Sequence, residues 1–61
     1  MNKELTKKID EIKNSIEVLM SEFEEKFDNA SESWQNGERG EQCMSNIAAC
    51  QEALDALDNI E

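Results

Sequence analysis

The sequence has no histidine, no proline and no tyrosine, only two glycines, and a single valine and threonine, Val18 and Thr6. Each shortage excludes something. Without histidine the commonest acid–base residue and metal ligand is missing. Without proline nothing forces an early helix break. Without β-branched runs or period-two alternation there is no signal for a strand. The chain also has no run approaching the ~18 consecutive apolar residues of a membrane span. Its first residues, Met1-Asn2-Lys3-Glu4-Leu5, lack the apolar centre of a signal peptide. These features predict a cytoplasmic protein with reduced cysteines and no contact with a membrane.

What is abundant is Glu, Lys, Ala, Leu and Ile, a helical composition. The expected fold class is all-α. At 61 residues the chain forms one domain at most. A domain of that size buries only about 60% of its unfolded surface and commonly needs a partner, a metal or disulfides.

The organising stretch runs from Leu5 to Phe23. Leu5, Ile9, Ile12, Ile16, Leu19 and Phe23 follow one another with gaps of four and three, a 3.5-residue repeat that asks for coverage by another helix. With Ile9, Ile16 and Phe23 at heptad position a, Leu5, Ile12 and Leu19 fall at d. Isoleucine at a with leucine at d is the bias of a two-stranded parallel contact, blurred here by Ile12 and Phe23. Met20 and Phe27 at e widen the stripe towards the face a bundle needs. Helix 1 is predicted over about 3–27, with Asn2 as its N-cap.

A turn is predicted at 28–31, where Asp28, Asn29 and Ser31 compete with the helix through local side-chain hydrogen bonds. Asn29 with Glu32, or Ser31 alone, supplies a new N-terminal signal. Helix 2 is predicted over about 31–60, continuous but strained through Gly37-Glu38-Arg39-Gly40, each glycine costing about 1 kcal/mol against alanine. Its stripe is Cys43, Ile47, Cys50, Leu54 and Leu57, again with gaps of four and three. Extrapolated backwards, that seam includes Gly40, which would let a neighbouring backbone approach closely. Two such stripes joined by a short turn describe an antiparallel helical hairpin, with a dimeric four-helix bundle as the expected assembly.

The charge is −9 and uneven. Residues 1–27 carry five lysines against seven carboxylates, whereas residues 28–61 carry Arg39 alone against eight. Direct binding of nucleic acid or anionic lipid is disfavoured, and a protein partner with a basic surface is favoured. Glu38, Glu41, Glu52, Asp55, Asp58 and Glu61 are the candidate acidic surface. Carboxylates three or four apart on a helix repeat at about 5–6 Å, close to the phosphate spacing of a nucleic acid, so such a surface could occupy a basic groove.

No catalytic constellation emerges, and an enzyme is not expected. No glycine-rich phosphate loop follows a strand. Asp28 to Arg39 lacks the order of a calcium loop. Cys43 and Cys50, seven apart on a helix, lie roughly 10 Å from each other, beyond the reach of an intrachain disulfide. They read as small buried hydrophobes, or as an interchain disulfide in an oxidising setting. No cofactor or metal is expected. Trp34 either caps the hairpin's end against Phe27 and Ala30 or, with Arg39, anchors a partner.

The run Phe27-Asp28-Asn29 with Glu32, Gln35 and Glu38-Arg39-Gly40-Glu41-Gln42, followed by the Ala/Leu/acidic helix, resembles small uncharacterised acidic helical proteins of tailed bacteriophages and related mobile elements. The resemblance covers about residues 27–61. It implies a short phage gene product in the cytoplasm of an infected bacterium, of a kind that binds and blocks host enzymes, including defence nucleases. Two functions are therefore expected in order: a non-enzymatic inhibitor of a host defence or nucleic-acid-handling protein, and a structural component that completes a homo-oligomeric bundle.

Overall fold

The structure, a computed structural model, describes residues 3–60. Three helices account for most of them: α1 (Lys3–Asp28), α2 (Glu32–Asn36) and α3 (Glu38–Asp58). The fold is all-α, and α1 and α3 pack against each other antiparallel as the arms of a hairpin. The result is a rod with Cα extents of 48 × 16 × 10 Å, one layer of two helices thick. The N-cap expected at Asn2 lies outside the described residues.

α1 runs unbroken because good helix formers fill it and neither glycine nor proline interrupts it. It ends where Asp28 meets Asn29 and Ala30. Asn29 N still donates to Glu25 O at 3.0 Å, and Ala30 N closes a tighter turn on Phe27 O at 3.2 Å. Ser31 then takes an extended conformation as the N-cap of α2, its Oγ accepting from Trp34 N at 3.3 Å. Gln35 folds back over the junction, and its Nε2 donates to Phe27 O at 2.7 Å. One turn of helix is thus tied to the end of α1.

The continuous second helix expected from the sequence is not what forms. The chain breaks at Gly37, which ends α2 and begins α3 with φ −91° and ψ −174°. That conformation is open to any residue, so the break does not rest on glycine's special freedom. It rests on Asn36-Gly37 being poor at continuing a helix and acceptable at starting one. Gly37 O then accepts from Glu41 N at 3.1 Å, and Glu38 and Glu41 place negative charge in the first turn of α3, where the helix dipole favours it.

Gly40 is the residue on which the packing of α2 against α3 depends. It is buried, and the carbonyls of Trp34 and Gln35 press so close that a Cβ at position 40 would collide with both. The close backbone approach expected at this glycine is real, and the approaching backbone is the end of α2.

The seam between the long helices differs from the expected one in a single respect. On α3 the stripe is as read: Cys43 and Cys50 are buried, and Ile47, Leu54 and Leu57 are half-buried. On α1 the partly covered residues are Ile9, Lys13, Ile16, Met20, Phe23 and Phe27, positions a and e. The d residues Leu5, Ile12 and Leu19 are not in the intrachain seam and stand 49%, 49% and 45% exposed. α1 has three apolar rows, and one α3 covers only two of them.

Candidate protein-binding surfaces

Two helices cannot enclose a core, and among the described residues no large side chain is fully buried. Chemistry must therefore be sought on surfaces. Three are formed.

The first is the outer face of α1. Ile12 and Leu19 line a shallow groove along the helix with Lys8, Glu11, Ser15 and the edge of Ile16. Val18, beyond the seam, is also exposed. This face arises directly from the choice of a and e for the intrachain contact.

The second lies where α2 meets the hairpin. Phe23, Lys26, Trp34, Arg39, Gln42 and Cys43 line an open hollow of about 320 Å³. Trp34 is half-buried and stands edge-on to Phe27, with centroids 6.3 Å apart and planes at 65°, an arrangement that suits the ring quadrupoles. Its capping role and its surface role thus coexist: one edge packs on Phe27, and the rest lines a hollow rimmed by the cations Lys26 and Arg39. Beneath it the Cys43 thiol donates to Phe23 O at 3.3 Å.

The third is the acidic side of α3. Glu38, Glu41, Glu52, Asp55 and Asp58 are all exposed, but they do not form one ladder. Between Glu41 and Glu52 the chain offers Met44, Ser45, Ala48 and Ala49 to solvent and no carboxylate at all. Asp58 points towards α1, where its Oδ1 lies 2.6 Å from Lys13 Nζ. That pairing has a local cause. A carboxylate in the last turn of a helix opposes the helix dipole, and Lys13 offsets it. The hydrogen bond that Lys13 Nζ donates to Asp58 raises the Lys13 pKa above the ordinary lysine value; desolvation opposes it, and the nearby charges of Asp58, Asp10 and Glu17 add to the rise. Glu38 with Glu41 and Glu52 with Asp55 remain as two acidic pairs at opposite ends of α3. Glu61 lies outside the described residues.

The two cysteines are free and buried. Among the described residues no three Cys, Asp or Glu side chains converge as metal ligands would, and no helix is long and apolar enough to cross a membrane. The sequence places Met20 and Phe27 at e as a widening of the stripe, and Lys13, a charge on the same row, keeps that row from reading as the one that meets α3 in place of d. Comparison of the chain with protein-family models, characterised proteins and solved structures yields no match.

Proposed function

We propose that this chain is a non-enzymatic interaction protein, an acidic helical hairpin that acts by stoichiometric binding to another protein. The observation that carries this reading is the one-sidedness of its packing: each long helix uses one stripe for the hairpin and presents the rest to solvent, with Ile12 and Leu19 sharing one groove on the outer face of α1. The net charge of −9 favours a partner with a basic surface, met by the acidic pairs Glu38/Glu41 and Glu52/Asp55, with Trp34 and Arg39 anchoring the α2 end. The resemblance of residues 27–61 to small phage proteins extends the proposal to an inhibitor of a host defence or nucleic-acid-handling protein, working in the bacterial cytoplasm without a cofactor. Nucleic-acid mimicry is limited by the uncharged gap between Glu41 and Glu52, so it would engage a basic groove at two points rather than along a line.

The test is quantitative capture from bacterial lysate by immobilised protein. The expected result is one host protein at a one-to-one ratio, released by high salt and lost on E52K/D55K, a variant that leaves the Lys13–Asp58 pair in place. Capture that survives both high salt and the reversal overturns the electrostatic reading.

A second reading, an assembly component that completes a helical bundle with copies of itself, is favoured by the exposure of Ile12 and Leu19. It predicts a defined oligomer at all salt concentrations, since an apolar seam is not screened.

A further inference from the structure

We infer that the outer face of α1 is a homodimer interface, and that its occupant is the α1 of a second copy running antiparallel. The inference rests on the self-association reading and names the face and orientation that reading leaves open.

The face is a second helical stripe. Lys8, Ile12, Ser15, Leu19 and Glu22 follow one another with gaps of four and three, the same period as the intrachain seam but on rows d and g. From 3.6 residues per turn, this stripe lies roughly 110° around the helix from the a/e seam. A helix in a four-helix bundle needs two neighbours at about that separation. α3 supplies one, and the outer stripe is placed for the other.

The surface area agrees. The chain exposes 4839 Å². A compact protein of 7.0 kDa should expose about 4,000 Å². The excess of about 800 Å², spread along a rod of 48 × 16 × 10 Å, equals in size the share one partner gives to an interface of standard size.

Charge selects the occupant. Residues 3–15 of α1 carry four lysines against three carboxylates, a net +1, and residues 16–28 carry one lysine against five, a net −4. Within the stripe the polarity repeats, with Lys8 at one end, Glu22 at the other, and Ile12 and Leu19 between. A two-fold axis across the middle of this helix brings Lys8 of each copy towards Glu22 of the other, at both ends, with Ser15 on the axis and Ile12 against Leu19 on either side of it. The patch is complementary to itself in that orientation, as an isologous contact requires. A parallel pair would set Lys8 beside Lys8, Glu22 beside Glu22, and the −4 half against its twin, all repulsive. The a/d bias that favours parallel pairing does not apply here, because the a row is spent on α3.

The experiment combines sedimentation equilibrium with isotope-filtered NOE spectroscopy on a mixture of labelled and unlabelled wild-type chain. The expected result is a dimer with intermolecular contacts from Ile12 to Leu19 and from Lys8 to Glu22. Leu19→Lys should yield a monomer with unchanged helix content, since Leu19 takes no part in the intrachain seam. Lys8→Glu, an exposed substitution that leaves the fold alone, should weaken the dimer about tenfold, and K8E/E22K should restore it. A monomer at every concentration overturns the self-association reading and this inference with it. A dimer with Lys8–Lys8 and Glu22–Glu22 contacts, insensitive to Lys8→Glu, overturns the antiparallel assignment while the reading stands. A dimer indifferent to Leu19→Lys overturns the choice of face.

Discussion

Cys43 Sγ lies 3.3 Å from the carbonyl oxygen of Phe23, so the thiol of one arm of the hairpin donates to the backbone of the other. Cys43 is 5% exposed, and Cys50, one heptad on, is 8% exposed. Only Cys43 has such a partner; among the described residues no hydrogen bond reaches the Cys50 thiol.

This difference separates two otherwise similar substitutions. Cys43→Ser keeps a donor within reach of Phe23 O across the seam, whereas a serine at 50 has only the carbonyls of its own helix, as Ser15 Oγ has Glu11 O at 3.1 Å. A hydrogen bond between the arms contributes about 0.5–1.5 kcal/mol. Cys50→Ser is therefore expected to destabilise the fold by that amount more than Cys43→Ser does, measured by urea unfolding. Equal losses would show that the thiol–carbonyl contact contributes nothing specific.

Gly40→Ala should be the most damaging glycine substitution. Alanine normally stabilises a helix interior by about 1 kcal/mol over glycine. Here the new methyl collides with the backbone carbonyls of Trp34 and Gln35, which cannot rotate away, and overpacking of this kind costs about 1–3 kcal/mol. The expected outcome is a lower melting temperature together with altered Trp34 fluorescence, because relief requires α2 to lift. At Gly37 a methyl meets Ser33 O at 3.2 Å and Trp34 O at 3.8 Å and the backbone is extended, so Gly37→Ala should change stability by a few tenths of a kcal/mol.

These two glycines also mark what the sequence could convey. Both weaken a helix by propensity, which points to one strained helix across 31–60, and the heptad alone sets Gly40 apart as a seam position open to a close backbone approach. Which backbone approaches is tertiary: the end of α2 rests on Gly40, while Gly37 hosts the break. The period of the α1 stripe was legible because Ile, Leu and Phe recur strictly. Which two of its three rows meet α3 was not, because Lys13 disguises the e row as polar. On α3, with one narrow stripe flanked by alanine and charge, no such choice existed, and Cys43, Ile47, Cys50, Leu54 and Leu57 fall where their spacing puts them. The acidic positions were legible one by one but not as a surface, since Asp58 is drawn to Lys13.

Ser31→Ala removes the side-chain acceptor for Trp34 N, and loss of an N-cap costs about 0.5–2 kcal/mol. α2 has a single turn to lose, so the effect should concentrate there. Amide exchange at Trp34 and Gln35 is expected to accelerate while exchange across α3 from Ile47 to Leu54 stays slow. Uniform acceleration across all three helices would mean that α2 is not a separable unit.

The Lys13–Asp58 pair predicts a pH effect of definite sign. Its folded pKa is raised, chiefly by the hydrogen bond to Asp58, so the protonated lysine is favoured in the native state. The stabilisation is fully present below the unfolded lysine value of about 10.4 and is lost as pH climbs through the raised folded value. Carbon-detected NMR titration of the Lys13 ε-methylene should give a midpoint that falls on Asp58→Asn. That variant also removes a carboxylate from the last turn of α3, where the helix dipole opposes it. Loss of the ion pair and relief at the dipole then act in opposite directions, and neutral-pH stability should change little, while the alkaline loss of stability attributable to Lys13 shrinks. An unmoved Lys13 midpoint in Asp58→Asn would show that the carboxylate is not what holds the proton, and that the end of α3 is held against α1 by the apolar seam alone.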